Sequence, residues 1–208
     1  MPFTAFESIE AVADAYQLSH RFTPFTQKAP VAPLRTDLRD DLDFAQRELP
    51  LGRNEASRCE SLIFPLLLDT WKPYRDSLTL WSHEALSYDA ALSGTPDYMV
   101  ARRSPRGVVF RELPYLIVVE AKRDEFLKAG GQCLAAMLTA QKLNGAPDLT
   151  VYGIVTNGVI WEFSNLQAAL YTQDPRPFTL AAPDDLHAAL HYLMQQCRAQ
   201  VVALRVPA

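Results

Sequence analysis

Residues 116–126, LIVVEAKRDEF, pass from an apolar run to alternating charges within a few positions. Four consecutive aliphatic residues are typical of a strand that is covered on both faces, as in the centre of a mixed or parallel sheet. Glu120 and Lys122 follow directly. Because side chains alternate along a strand, these two side chains point to one face and Ala121 to the other. The stretch therefore predicts a central strand, residues 114–122, that ends in a charged pair.

Further strands are predicted on both sides of this one. Residues 77–84 and 96–103 have strand character, and a turn signal, SGTP, opens the second of these segments. Residues 149–163 predict two strands around Asn157 and Gly158, because these residue types suit the positive φ angles of a type I′ hairpin turn.

Helical periodicity predicts that helices flank the strands. Asn54 is a suitable N-cap for the helix after it, and Pro65 predicts a kink or a boundary inside that helix. Gly130 and Gly131 open a later helix, and residues 23–34 form a proline-interrupted connector. The order of elements predicts an α/β or α+β fold with a central sheet. The predicted helices cover residues 6–18, 35–49, 55–71, 132–144 and 183–204.

The bulk composition limits the classes of function. A chain of 208 residues, 49% hydrophobic and 21% charged, predicts one globular domain over residues 1–208. The net charge of −4 lacks the general field of a nucleic-acid binder, so contact with phosphate would need a local patch or a bound cation. The three cysteines form no CxxC pair, which predicts reduced core thiols. Without a signal-peptide pattern or a long apolar run, we expect a cytoplasmic protein that does not enter a membrane.

A second carboxylate, Asp97, begins the strand that precedes the Glu120 strand. The intervening loop allows the two strands to be antiparallel neighbours, which would bring Asp97 close to Glu120. Two carboxylates with a backbone carbonyl and waters satisfy a hard cation such as Mg²⁺. Two simpler interpretations stay open: Glu120 and Lys122 as a solvated ion pair, and GTPD as an ordinary β-turn.

Other side chains are candidates for the same site. Gln132 begins the next predicted helix and can face back across the strand end. Glu55 and Glu60 lie on the acidic helix, and their spacing does not choose between them. Trp81 or Tyr98 could contact a base, although the tryptophans are expected in the core. A basic loop between the two strands predicts backbone contacts with nucleic acid, or alternatively a solvated hairpin loop; it carries Arg102, Arg103, Arg106 and Arg111.

The ordered set of an acidic helix, Pro96–Asp97, Glu120–Ala121–Lys122 and Gln132 resembles the PD-(D/E)XK nuclease superfamily, the restriction-endonuclease-like fold. The same segments are similar to small uncharacterised bacterial proteins, abundant in cyanobacteria. VTNGVIWEF, residues 155–163, also looks like the N-terminal nuclease domain of type I restriction-enzyme subunits.

The resemblance covers about residues 54–163 and implies a particular domain organisation. This nuclease-like core would contain a central mixed β-sheet flanked by helices. Residues 1–53 are then expected to form an N-terminal helical extension, and residues 164–208 a C-terminal helical segment.

The resemblance implies a Mg²⁺-dependent phosphodiesterase in which Mn²⁺ can substitute. Asp97, Glu120 and the carbonyl of Ala121 would hold the metal ion. Lys122 would orient the attacking water or stabilise developing negative charge. Gln132 would position Lys122 or the substrate.

One glutamate, Glu55 or Glu60, would bind a second metal ion or a coordinated water. The implied partner is a nucleic acid, most simply DNA, and a homodimer is compatible because enzymes that cut both strands are often dimeric. Because fold does not fix function, two alternatives remain open: a catalytically inactive nuclease-like module that binds nucleic acid or protein, and a small-molecule hydrolase.

Overall fold

The computed structural model describes residues 3–27, 29–31 and 33–204. It shows a mixed α/β fold in which helices flank a central mixed sheet, so the predicted fold class is confirmed at this level. The predicted single domain stays a prediction. None of the described helices combines the length and the hydropathy needed to cross a bilayer. The three cysteines are buried free thiols, as predicted.

Six α-helices lie within the described residues. A π-helical turn, Cys59–Ile63, joins the third helix to the fourth, and short 3-10 turns cover Phe3–Ala5 and Lys72–Tyr74. The helices are α1 Ile9–Tyr16, α2 Thr36–Glu48, α3 Glu55–Arg58, α4 Phe64–Trp71, α5 Phe126–Asn144 and α6 Pro183–Ala203.

Ten strands lie in the same part of the chain. They are β1 Ser19–Phe22, β2 Leu78–Ser82, β3 Leu86–Ser87, β4 Ser93–Gly94, β5 Tyr98–Arg102, β6 Tyr115–Ala121, β7 Val151–Thr156, β8 Ile160–Gln167, β9 Leu170–Gln173 and β10 Phe178–Thr179. The main sheet has the order β1-β9-β8-β7-β6-β5-β2, and β10 pairs with β8. The pairs β1–β9 and β6–β7 are parallel, whereas β2–β5, β5–β6, β7–β8, β8–β9 and β8–β10 are antiparallel.

β6 is a central strand, as its apolar run predicts. It lies between β5 and β7, and all seven of its residues are buried. Two consecutive residues of β6, Val118 and Val119, belong to two different hydrophobic clusters, one on each face of the sheet. The cluster with Val119 includes residues of α2, α4 and α6, whereas the cluster with Val118 includes residues of α1 and α5. Burial of each large aliphatic side chain stabilises the fold by roughly 1.5–3 kcal/mol.

The helix after Asn54 follows the sequence prediction closely. The Asn54 side chain accepts a hydrogen bond from the Ser57 amide at 2.8 Å, so the predicted N-cap is confirmed. The predicted boundary near Pro65 is also present, because the π-helical turn ends at Ile63 and α4 begins at Phe64. In this turn the Phe64 amide bonds to the carbonyl of Cys59, five residues back. The change in hydrogen-bond pattern therefore falls directly before the proline, which cannot donate.

The predicted hairpin around Asn157 and Gly158 is present, but its turn is not type I′. Gly158 has a positive φ of 86°, whereas Asn157 is not among the residues with positive φ. The Asn157 side chain instead accepts hydrogen bonds from the amides of Val159 and Ile160. The asparagine thus closes the loop with its side chain rather than with a left-handed backbone.

The predicted helical segments at both ends also contain strands. β1 lies within residues 1–53, and β9 and β10 lie within residues 164–208. All four residues of β1 are exposed, so they show no alternation that could have indicated a strand. The turn before β9 uses Ala168 at a φ of 50°, a position where no glycine or asparagine marks a turn in the sequence.

The start of α5 was predicted wrongly. The helix begins at Phe126, so Gly130 and Gly131 lie inside it rather than opening it. A Cβ atom on Gly131 would lie 2.8 Å from the backbone carbonyl of Ser8, the N-cap residue of α1. The glycine therefore allows α1 to approach α5 closely.

Replacement of Gly131 by alanine tests this packing. Helix propensity alone favours alanine over glycine by about 1 kcal/mol. The contact with the Ser8 backbone should reverse that sign, so we expect Gly131→Ala to destabilise the protein by about 1–3 kcal/mol in denaturant unfolding. Gly52→Ala is the matched control, because a Cβ atom there meets no heavy atom within 4 Å. A Gly131→Ala protein more stable than wild type would contradict the close approach.

Candidate active site

The pairing of β5 with β6 brings Asp97 close to Glu120. In this antiparallel ladder Tyr98 is the partner of Val119. One step further along the same register, Asp97 lies opposite Glu120. Cα atoms of directly opposed residues in such ladders are about 4.5–5.5 Å apart. The predicted antiparallel arrangement of these two strands is confirmed. It places the two carboxylates at the same end of the β5–β6 pair, where β5 begins and β6 ends.

A hydrogen bond fixes Asp97 to the end of β6. The Ala121 amide donates to Asp97 Oδ2 at 2.7 Å. This bond occupies one carboxylate oxygen and turns Asp97 towards the end of the partner strand. Ala121 therefore contributes to the site through its amide, whereas the predicted role of its carbonyl as a metal ligand stays a prediction.

The Lys122 side chain contacts a glutamate of β6 and a glutamate of α3. Its Nζ atom lies 3.1 Å from Glu120 Oε1 and 3.3 Å from Glu55 Oε1. The contact with Glu120 agrees with the predicted same-face pair. Glu55 is the first residue of α3, directly after the Asn54 cap, so the helix start places it over the strand end.

The structure separates the two glutamates that the sequence left open. Glu55 contacts Lys122, whereas Glu60 lines a different cavity with Phe64, His83 and Tyr98. Glu60 is five positions after Glu55 along the helix and its π-helical turn, so the two side chains do not reach the same small site equally.

Burial raises the pKa of two carboxyl groups of this site, Asp97 and Glu120. It raises the pKa of Glu120 to about 7; Lys122 opposes this shift, and the nearby charge of Asp97 adds to it. Burial also raises the pKa of Asp97, against the hydrogen bond from Ala121 and the charge of Lys122. Burial alone would lower the pKa of Lys122, but Glu120 and Glu55 raise it on balance, which keeps the amine charged. The site therefore holds two crowded carboxylates beside one fixed cation.

His83 belongs to the site and was missed from the sequence. Its Nε2 atom lies 3.6 Å from Asp97 Oδ1, and its Nδ1 atom is 2.8 Å from Ser82 Oγ. Its backbone has a φ of 54°, a left-handed conformation that costs free energy in a residue with a side chain. The only hint in the sequence was its place at the end of a predicted strand; that strand proved to be the neighbour of β5.

Gln132 is buried but is not bound to Lys122. It is 3% exposed, and its Oε1 atom has no hydrogen-bond partner in the described part of the chain. Because α5 starts at Phe126, Gln132 lies in the second turn rather than at the helix start. Its predicted role in positioning Lys122 or the substrate stays a prediction.

The structure does not bring the basic loop to the carboxylates. The loop joins the end of β5 to the start of β6. It therefore lies at the closed end of this hairpin, whereas Asp97 and Glu120 lie at the open end. At about 3.4 Å per strand residue, Arg102 lies about 17 Å from Asp97 along β5. Arg103 follows Arg102 in sequence and shares its edge of the sheet.

The remaining loop arginines have contacts elsewhere. Arg106 stacks over the Phe110 ring at 4.1 Å from its centroid. Arg111 donates to the carbonyl of Ala85 at 2.6 Å. A basic loop beside the two carboxylates was therefore a wrong expectation, because an antiparallel hairpin places its loop at one end and the outer residues of its strands at the other.

A different basic residue lines the cleft beside Lys122. A cavity of about 310 Å³ is bounded by Asn54, Glu55, Lys122, Arg123 and the two residues that follow. Arg123 pairs with Asp124 and contacts the carbonyl of Gly52 at 3.4 Å. The sequence contained this signal, since Arg123 directly follows the EAK triplet.

The residues present fit a magnesium ion better than a transition metal. No group of three or more His, Cys, Asp or Glu side chains among residues 3–27, 29–31 and 33–204 is arranged to hold a metal ion. Mg²⁺ keeps several waters and is commonly held by one or two carboxylates, which Asp97 and Glu120 supply. Burial is the main cause of the raised pKa of both carboxyl groups, and the charges of neighbouring carboxylates add to it.

Comparison with known proteins adds no family assignment. No protein-family model matches the chain, and no curated protein matches it significantly.

The raised pKa of Glu120 predicts a pH-dependent stability difference. The ordinary pKa of this carboxyl group is 4.5, and in the folded protein it is about 7. The Glu120 carboxyl group thus binds a proton more tightly in the folded state than in the unfolded state. The stabilisation that this proton gives the folded state is fully present below about pH 4.5 and is lost as pH rises through about 7. Glu120→Gln removes the buried charge, and we expect it to stabilise the protein by about 1–3 kcal/mol at pH 8 in EDTA, with a smaller gain at pH 5.

Thermal unfolding at the two pH values measures this difference. Each kcal/mol corresponds to about 2–4 °C in Tm for a chain of this size. Glu48→Gln is the control, because Glu48 is exposed on α2. A rise in Tm of the same size at pH 5 and pH 8, or a fall in Tm at pH 8, would show that the ionised Glu120 carboxylate does not destabilise the folded protein.

Proposed function

We propose that the protein is a divalent-metal-dependent nuclease of the PD-(D/E)XK type with a restriction-endonuclease-like fold. The observation that carries this proposal is the placement of Asp97 opposite Glu120 with Lys122 Nζ 3.1 Å from the glutamate. These are the residue types that the motif requires, in the order in which it requires them. The central mixed sheet with helices on both faces is compatible with that fold.

The chain offers a defined role to each side chain. Asp97 and Glu120 would hold Mg²⁺, or Mn²⁺ in its place. When bound, such an ion neutralises phosphate charge and lowers the pKa of a coordinated water. Lys122 presents a fixed ammonium group that can orient the attacking water or stabilise the charge that develops on the phosphate. Glu55 holds Lys122 from the other side at 3.3 Å.

The proposed substrate is DNA, bound through its backbone at the cleft beside Lys122. A net charge of −4 gives no general attraction to phosphate, so local cations must supply it. Lys122 and Arg123 both line this cleft. Double-strand cleavage by one small chain is most simply achieved by two copies, which makes a homodimer part of the proposal.

A catalytically inactive nuclease-like module is the second candidate. It is favoured by one observation: Lys122 already contacts both Glu120 and Glu55, an arrangement that can be a purely structural ion network. Such a module would bind nucleic acid or protein without hydrolysis. Cleavage assays distinguish the two candidates directly.

We expect wild-type protein to cut single-stranded, double-stranded or branched DNA in Mn²⁺ or Mg²⁺. Asp97→Asn removes one carboxylate and should lower the cleavage rate by at least about 100-fold, since the ion contributes several kcal/mol of transition-state stabilisation. Lys122→Met should reduce the rate by about 10²- to 10³-fold, as for loss of a positioned charge donor. Gel electrophoresis of labelled oligonucleotides measures both rates.

Asp37→Asn is the control for general charge effects, because Asp37 is an exposed carboxylate on α2. Its cleavage rate should equal that of wild type. Failure of wild type to cut any substrate in either metal, or equal cutting by Asp97→Asn, would rule out the nuclease proposal and leave the binding module.

A further inference from the structure

A second cavity lies close to Asp97 and shares no lining residue with the Lys122 cleft. It measures about 400 Å³, and its walls include Glu60, Phe64, Ser82, His83 and Tyr98; we refer to these five residues as the aromatic pocket. Its volume is in the range of small-ligand pockets, which is about 300–1,000 Å³. None of these residues is used by the proposed hydrolysis.

The aromatic pocket is a separate cavity that adjoins Asp97 of the candidate active site. Tyr98 follows Asp97 directly in β5, and His83 Nε2 lies 3.6 Å from Asp97 Oδ1. A group that occupies the pocket is therefore only a few ångströms from the carboxylates. In a nucleic acid whose phosphate binds a cation held by Asp97, the nearest group able to fill such a pocket is the base of the adjoining nucleotide.

One wall of the pocket offers a free aromatic face. The rings of Phe64 and Tyr98 are stacked, with centroids 5.9 Å apart and planes 21° apart. Tyr98 is 2% exposed, whereas Phe64 is 36% exposed, so the accessible aromatic surface belongs to Phe64. A planar guest on Phe64 would extend this stack. Stacking of a base on an aromatic side chain contributes about 1–3 kcal/mol and accepts any base.

One polar group of the pocket, the Glu60 carboxylate, adds a preference among bases. Glu60 carries a carboxylate, and an ionised carboxylate only accepts hydrogen bonds. The Watson–Crick edge of guanine has two adjacent donors, N1–H and N2–H, that match the two oxygens of a carboxylate. Thymine has a single donor, N3–H, on that edge. Bidentate recognition of this kind discriminates between bases by about 1–3 kcal/mol.

We propose that the aromatic pocket binds an unpaired nucleobase, preferentially guanine, of the strand whose phosphate would bind the cation held by Asp97 and Glu120. The base stacks on Phe64, and its Watson–Crick edge donates to Glu60. Because this edge is occupied in a duplex, the bound nucleotide must be unpaired, as in a single strand, a branched junction or a base turned out of a duplex. The placement of the phosphate rests on the proposed nuclease function, whereas the binding of the base is measured separately.

Fluorescence anisotropy with a labelled single strand tests the pocket without cleavage. The probes are a twelve-nucleotide thymine strand and the same strand with one central guanine, in Ca²⁺. We expect wild type to bind the guanine strand about 5- to 100-fold more tightly. Phe64→Leu, which keeps an apolar side chain without the ring, should weaken binding of both strands by about 5- to 100-fold. Glu60→Gln should abolish the preference for guanine.

Matched controls come from α2. Phe44→Leu removes another exposed phenylalanine, 57% accessible, and Glu48→Gln removes an exposed glutamate. Both should bind like wild type. Because Phe64 and Glu60 are themselves exposed, melting temperatures of the variants should stay near that of wild type.

Cleavage of the same two strands in Mn²⁺ separates this inference from the proposed function. Weaker binding in the variants without any wild-type cleavage would support the pocket and remove the nuclease. Unchanged affinity and base preference in both Phe64→Leu and Glu60→Gln would remove the pocket, whether or not wild type cleaves. Absence of wild-type binding to either strand would overturn the pocket, and cleavage of other DNA would then decide the nuclease alone.

Discussion

The antiparallel pairing of β5 with β6 is the constraint on which the site depends. It sets Tyr98 against Val119, and the next step of the register brings Asp97 to the end of β6, where its carboxylate accepts the Ala121 amide at 2.7 Å. A slip of one residue would turn every side chain of one strand to the opposite face. The apolar side chains of β6 prevent such a slip, because they fill two cores at once. Core packing thus fixes the separation of two carboxylates 23 positions apart in the chain.

The local chemistry departs from what stability alone would favour. The buried Glu120 and the partly buried Asp97 both have raised pKa values, and His83 adopts a left-handed backbone beside Asp97. Strain and like charges of this kind commonly cluster at functional sites. Lys122 relieves part of the repulsion in the protein alone, and a divalent cation would relieve more. The convergence of two carboxylates and one lysine links the fold to the proposed chemistry, and the adjoining aromatic pocket lies where the proposed base would bind.

The sequence predicted the features that depend on local pattern. The continuous apolar run gave β6, the Asn54 cap gave the start of α3, and the turn at Asp97 gave the start of β5. It could not predict β1, whose four residues are all exposed and whose pairing partner is about 150 residues away. The sequence could not predict that Glu55 rather than Glu60 contacts Lys122, or that His83 lies beside Asp97, because both contacts depend on which elements pack together. The expected place of the arginine loop is wrong because residues that are close in sequence need not be close in space: a hairpin separates its loop from its outer ends.

Anomalous diffraction from crystals soaked in Mn²⁺ tests the central claim most directly. We expect a single strong peak at about 2.1–2.3 Å from carboxylate oxygens of both Asp97 and Glu120, the range expected for a hard divalent cation between Mg²⁺ and Ca²⁺ in size. Glu120→Gln crystals should lose that peak. A well-ordered site without manganese density between these two side chains, or with the ion bound elsewhere, would contradict the account.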